Sequence, residues 1–304
     1  MRPNPALIAL AALVILACSC AARPAVDGVR ALGRVAHQVE AGPRIPGTPG
    51  HRVVGEWIAA ECSRLGARVE VQEWSDSTFG RALALRNVIA HYGPETGRRV
   101  ALVAHWDTRP FSDEDPEAAH RRDPVPGAND AGSGVAVLLE VAEALHRRPP
   151  RMPVELVFVD GEDQAEATRP RDYCLGAARY AASRAADEAR RPVAAFVFDM
   201  VGDRDLGIWA EGESARRAAN LVAIVADAAR ATGARNFHDS VRYSLTDDHI
   251  PLLEAGIPAV DIIDFDYTSW HTHLDLPDRV SARSLAEVAR VALWIVEESP
   301  LAHP

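Results

Sequence analysis

Three carboxylates crowd one point of the chain. The stretch V-E-L-V-F-V-D-G-E-D at 154–163 closes on Asp160, Glu162 and Asp163. Its apolar run followed by a glycine has the pattern of a strand buried on both faces. In open α/β sheets ligands bind outside the carboxyl ends of parallel strands, so acids placed there have a chemical use. Asp163 can hold a metal while its neighbour Glu162 moves a proton. A solvated acidic turn is the plain alternative.

The rest of the chain supplies more residues of the same kind. V-A-L-V-A-H-W-D at 100–107 is a second buried strand, ending on His105 and Asp107. G-A-N-D-A-G-S-G at 127–134 brings Asp130 to the start of a helix at about Gly132, where an aspartate can also serve as N-cap. V-A-A-F-V-F-D ends on Asp199, S-L-T-D-D carries Asp247 and Asp248, and W-H-T carries His271. A water-exposed face would mix in Lys and Arg, and these strand ends do not. Clustered carboxylates repel one another unless a cation or shared protons hold them. Zinc suits this set, because a catalytic zinc takes three ligands from His, Asp or Glu and keeps one position open.

The elements that must position these residues can be read from the hydrophobic pattern. Residues 27–41 have helical spacing at Val29, Leu32, Val35, Ala36 and Val39. The segment G-P-R-I-P-G-T-P-G is a stiff loop, and 55–65 is a second amphipathic helix. Strands are expected at 68–74, 82–92 and 99–104, the early ones forming an antiparallel edge. A long loop, 108–129, is a rim or a disordered segment. Further helices are expected at 174–190, 214–232, 249–255 and 282–298, with strands at 192–199 and 257–263. Strands alternating with helices predict an α/β fold with a mixed, mostly parallel central sheet and helices on both faces. No linker divides residues 23–304, so one domain is expected.

Residues 1–22 have the form of a targeting segment. Arg2 precedes an apolar run at 6–17 that is too short to cross a membrane. Small residues before Cys18 in I-L-A-C-S-C resemble a bacterial lipobox, the alternative being a cut near Ala21 or Ala22. Either way the chain is exported, as a periplasmic protein or a lipoprotein anchored through Cys18. Cys62 and Cys174 remain in the body and are expected as separate buried thiols. With 304 residues, 48% of them hydrophobic, the chain can bury a real core. Its formal net charge of −10 argues against a nucleic-acid partner, and membrane contact is expected only through the anchor.

The motifs H-W-D, G-A-N-D-A-G-S-G, D-G-E-D, T-D-D-H-I-P-L-L-E-A-G-I-P and W-H-T occur in an order that resembles the zinc aminopeptidase superfamily. Within it the chain is most similar to the animal-type glutaminyl cyclases and their bacterial members, from about Gly42 to the C-terminus. The resemblance implies that Asp130, Asp163 and His271 hold one zinc and that Glu162 is the general base and acid. It makes Asp199 and Asp247 hydrogen-bonded acidic partners of Glu162 and places Trp270 in the substrate pocket. Leu245, Phe265 and Tyr267 are weaker lining candidates, while Trp106 and Trp209 suit the core or rim. The implied reaction converts the N-terminal glutamine of peptides or proteins to pyroglutamate, releasing ammonia. Two departures stand out. Asp163 replaces the usual Glu, and the loop Q-A-E-A-T-R-P lacks an aromatic common in cyclases. A two-zinc aminopeptidase is the rival, with His105 and Asp199 on a second zinc bridged by Asp130. A non-catalytic binding ectodomain on the same fold is a third reading.

Overall fold

The computed structural model describes residues 26–76, 82–165 and 173–303. The N-terminal segment with Cys18, and residues 166–172 of the aromatic-poor loop, lie outside the described residues.

Six strands form the central sheet. They are β1 (Arg68–Asp76), β2 (Leu83–Tyr92), β3 (Val100–His105), β4 (Val154–Val159), β5 (Ala194–Asp199) and β8 (Ala259–Ile263), in spatial order β1-β2-β4-β3-β5-β8. β1 and β2 are the antiparallel edge, and β2 also runs antiparallel to β4. β4, β3, β5 and β8 are mutually parallel. β3 therefore leaves the edge and sits between β4 and β5. Every residue of β3, β4, β5 and β8 is buried, as two covered faces require.

Helix α3 (Gly132–Arg147) packs on β3 and β5, with α1 (Gly28–Glu40) and α8 (Ala282–Glu297) over it. It is buried along nearly its whole length, which explains why its sequence is apolar all round. Helices α4 (Leu175–Ala185) and α7 (His249–Glu254) pack together against the sheet. Asp27 caps α1 by accepting from Val29 N and Arg30 N, each at 3.0 Å.

Several boundaries differ from expectation. Helix α2 (Pro49–Arg64) starts inside the stretch read as loop, because Thr48 caps it and Pro49 occupies its first turn, where a missing N–H costs nothing. The helix expected at 174–190 ends at Ala185, and a 3₁₀ turn covers Glu188–Arg190. The helix expected at 214–232 is two, α5 (Gly212–Arg217) and α6 (Ala219–Thr232), broken at Ala218. A second, two-stranded parallel sheet, β6 (Ile208–Glu211) with β7 (Phe237–Tyr243), escaped the pattern. β6 is four residues long and β7 is mostly exposed, so neither carries a clear apolar period. Cys62 and Cys174 are buried and unpaired with each other.

Candidate active site

The carboxyl ends of β3, β4 and β5 meet at one edge and bring His105, Glu162, Asp163 and Asp199 together. Gly161 makes the turn after β4 at φ +74°, a conformation costly for other residues. Asp107, just past β3, fixes that turn. Its carboxylate accepts from Glu162 N at 3.1 Å, Asp163 N at 3.2 Å and Gln164 Nε2 at 3.0 Å. One buried aspartate thus clamps the backbone of D-G-E-D.

Asp130 arrives from the loop before α3. It is not the N-cap of that helix, since Ala131 holds the position without a side-chain bond. Instead Asp275 accepts from Asp130 N at 3.1 Å and Asn129 N at 2.8 Å, and Tyr267 donates to Asp275 at 2.7 Å. Tyr267 is buried in that role and belongs to the small apolar cluster against which Leu245, Phe265 and Trp270 pack. The Asp130 carboxylate faces two ways, with Oδ1 3.2 Å from His105 Nε2 and Oδ2 3.6 Å from His271 Nε2. His271 Nε2 also lies 3.4 Å from Asp163 Oδ1. Asp130, Asp163 and His271 offer one donor atom each, all within 4.8 Å of one another. His105, Asp130 and Asp199 form a second group of the same dimensions. Asp163 Oδ2 is buried without a hydrogen-bond partner. A buried orphan carboxylate oxygen is costly, and a cation between these donors would satisfy it, so the residues present fit zinc.

Asp199 corrects one expectation. Its Oδ1 is hydrogen-bonded to His105 Nε2 at 3.0 Å, not to Glu162. The parallel strands set this, because β3 and β5 are adjacent and their last residues project from the same edge. The Glu162 carboxylate accepts a weak 3.7 Å contact from Cys174 Sγ and lies 4.0 Å from His105 Nδ1. Asp247 shares a compact donor group with Glu162 and Cys174 but is not hydrogen-bonded to Glu162 either, its Oδ1 accepting instead from Asp248 N. Burial drives the Glu162 pKa well above the usual carboxylate value. His105 opposes the rise, and Asp163, Asp247 and Asp248 add to it. For Asp199, burial outweighs His105 and pushes the group up to about 7. Burial alone would lower His105, yet Asp199, Asp107 and Asp130 raise it well above an ordinary imidazole. Perturbed acids and bases gathered in this way mark a candidate functional site.

Among the described residues, three that are not glycine adopt left-handed backbone: Cys174 at φ 59°, Met200 at φ 48° and His271 at φ 53°. One touches Glu162, one is next to Asp199 in the chain and one is a candidate ligand. Such strain costs on the order of 1–3 kcal/mol each and collects at functional sites.

Residues 87–296 match peptidase family M28. The chain belongs to this family. It is 26% identical over 281 residues to the glutaminyl-peptide cyclotransferase-like protein of Bos taurus, covering 84% of this chain and 72% of that protein. A Zn-dependent exopeptidase from Parabacteroides distasonis superposes with a TM-score of 0.87 at 33% identity, covering 91% of this chain and 100% of that one. The glutaminyl cyclase of Bacteroides thetaiotaomicron, solved with N-acetylhistamine, gives 0.86 at 31%, with 91% and 99% covered.

In this M28 chain Trp270 is half-buried and stacks on His271 at 4.0 Å between ring centroids. Phe265 meets it edge-on at 5.0 Å, and Leu245 belongs to the same small apolar cluster. An indole therefore stands beside the donor group with one side open. Trp106 is fully buried, stacked on His51 and donating to Arg86 O at 3.1 Å, so it is core. Trp209 packs against His238 in the small sheet.

Several site residues were not found from sequence. Arg109 is buried and donates to Asp163 Oδ1 at 3.0 Å, with Asp113 as its second carboxylate partner. Its signal was a lone arginine two residues past H-W-D. Asp261 sits within the otherwise apolar β8, A-V-D-I-I, and groups with Asp247 and His249 behind the site. His249 Nε2 lies 3.1 Å from Glu211 Oε2. Burial, with Asp247 and Asp199, pushes Asp261 well above an ordinary carboxylate. An acid inside an apolar strand was the available clue.

Proposed function

We infer that this protein is a zinc-dependent glutaminyl-peptide cyclotransferase acting on peptide or protein N-termini. One observation carries the reading: Glu162 directly precedes Asp163 of a three-donor metal group, and the indole of Trp270 stacks on that group's histidine, His271. Named cyclotransferases among the relatives, and the glutaminyl cyclase that superposes over nearly its whole length, support it.

Asp130, Asp163 and His271 would hold the zinc. When bound, zinc supplies a Lewis acid for the γ-carbonyl of the substrate glutamine. The chain's own groups do the rest. Glu162 accepts a proton from the α-amine as its nitrogen attacks the carbonyl carbon of the side-chain amide, and the bond from that carbon to the amide nitrogen breaks. The same carboxyl returns that proton to the departing amide nitrogen, which leaves as ammonia. The amine has an ordinary pKa of about 7.7–8.0, so only a modest push is needed. Asp247 raises the proton affinity of Glu162, which suits it to take up the proton and hold it. Asp199 acts through His105, the imidazole it holds beside Glu162. Trp270 covers the forming ring and excludes water, which favours cyclisation over hydrolysis.

The M28 family also suits a two-zinc aminopeptidase, and His105, Asp130 and Asp199 could hold a second ion. The single-zinc reading rests on a contrast. His105 and Asp199 already satisfy each other at 3.0 Å, whereas Asp163 Oδ2 has no partner. Elemental analysis of the purified protein should give one zinc per chain. Two tightly held ions, one lost in His105→Ala, would overturn it. The targeting segment and Cys18 complete the reading as an exported lipoprotein. Membrane fractionation of Cys18→Ser tests this, and unchanged association with membranes would contradict it.

A further inference from the structure

We propose that Arg109 is the positioning residue of the metal group, tying two of its three donors into one rigid unit. This rests on the zinc reading above and adds to it a residue outside the donor set.

Arg109 lies close after β3 and is 5% exposed. Its Nη1 donates to Asp163 Oδ1 at 3.0 Å and to Ala165 O at 3.1 Å. Its Nε and Nη2 grip both oxygens of Asp113, at 2.6 and 2.5 Å. Tyr173 OH lies 3.4 Å from Nη1, and the guanidinium carbon is 5.9 Å from the Tyr173 ring. On its other side Asp113 Oδ1 is 3.6 Å from His271 Nδ1. One guanidinium therefore links the turn after β4 to the loop that carries His271.

Each contact has a consequence for metal binding. Asp163 has one methylene fewer than a glutamate, so it cannot bend toward an ion through an extra torsion. Anchoring Oδ1, which lies 3.4 Å from His271 Nε2, to Nη1 fixes the carboxylate plane, with Oδ2 buried and unpartnered. The 3.6 Å separation at His271 is too long for a direct hydrogen bond. The Asp113 charge still favours the proton on Nδ1 and leaves the Nε2 lone pair facing Asp130 and Asp163. A cation beside a metal site would by itself weaken binding. Here Asp113 neutralises Arg109 in a bidentate pair, so orientation remains as the dominant effect.

The test measures zinc affinity of the full chain by competition with a chromogenic chelator. Melting temperatures of apo and zinc-loaded protein are read alongside. Arg109→Met should lower zinc affinity on the order of 10–100-fold, the usual loss when such an outer partner is removed. Arg109→Lys should fail to restore it, because an ammonium keeps the charge but cannot grip Asp163 and Asp113 together. Asp113→Asn should move affinity the same way by a smaller factor and serves if the arginine variants do not fold. An Arg109→Met chain with a lower apo melting temperature and wild-type zinc affinity would make Arg109 merely structural and overturn the proposal. Full rescue by lysine would also overturn it, since charge alone would then suffice. Wild-type protein that takes up no zinc would sink the zinc reading, whereas wild-type affinity shared by the variants sinks only the role of Arg109.

Discussion

At the scale of the residue, two adjacent acids have different surroundings. Glu162 is held near His105, Cys174 and Asp247, whereas Asp163 is held by Arg109 and His271. Neighbouring side chains on a tight turn point apart, and here one direction leads to the donor group and the other to His105, Cys174 and Asp247. Replacing Glu162 with Gln keeps size and leaves Asp130, Asp163 and His271 untouched. Zinc content should stay at the wild-type level while turnover falls on the order of 10²–10⁴-fold, the usual worth of a general acid–base. Asp163→Asn should instead lose zinc and recover part of its activity when zinc is added. Zinc content and turnover of both variants check this pair, and the reverse pattern would exchange their roles.

At the scale of the element, the site depends on α3 lying close to the sheet. A Cβ added at Gly134 would sit 2.3 Å from Phe198 O and 2.9 Å from Ala104 Cβ. Alanine would gain about 1 kcal/mol in helix propensity, but a clash with strand backbone forces the helix outward and costs up to about 3 kcal/mol. Gly134→Ala should therefore unfold at lower denaturant than wild type. It should also bind zinc less well, because Asp130 directly precedes the N-cap of α3 and would move with the helix. The central strands were legible in the sequence because strands buried on both faces give unbroken apolar runs. So was the edge they share, because Glu162, Asp163 and Asp199 close those runs directly. β6 and β7 were not legible, one being too short and the other too exposed to show a period. Pairings were illegible too. Sequence placed Asp199 and Glu162 at one edge, but only strand order decides that Asp199 faces His105. The clamps made by Asp107, Asp275 and Arg109 are contacts across long loops, and no local pattern announces them.

At the scale of the whole molecule, the opposite end of the sheet carries a charged network that serves stability. Glu155 in β4 accepts from Arg99 at 2.7 Å, Tyr180 at 2.6 Å and Arg184 at 3.1 Å. Burial alone would raise its pKa, but His91, Arg184 and Tyr180 outweigh that and lower it from 4.5 to about 2. A depressed carboxylate stabilises the fold above its unfolded pKa, and that stability disappears as pH falls through the folded value. The expected contribution is about 3 kcal/mol. Urea unfolding of wild type and Glu155→Gln should differ most above pH 4.5 and converge toward the folded pKa. A constant difference across that range would contradict the linkage.

The central claim is that a glutamate and a metal beneath an indole close a ring instead of cutting a chain. Incubating the purified, zinc-loaded protein with Gln-initiated and Leu-initiated peptides of otherwise equal sequence, and reading the products by mass spectrometry, tests it most directly. The account predicts that the glutamine peptide loses ammonia and keeps its length while the leucine peptide is unchanged. Removal of the first residue from the leucine peptide, with the glutamine peptide left uncyclised, would contradict it.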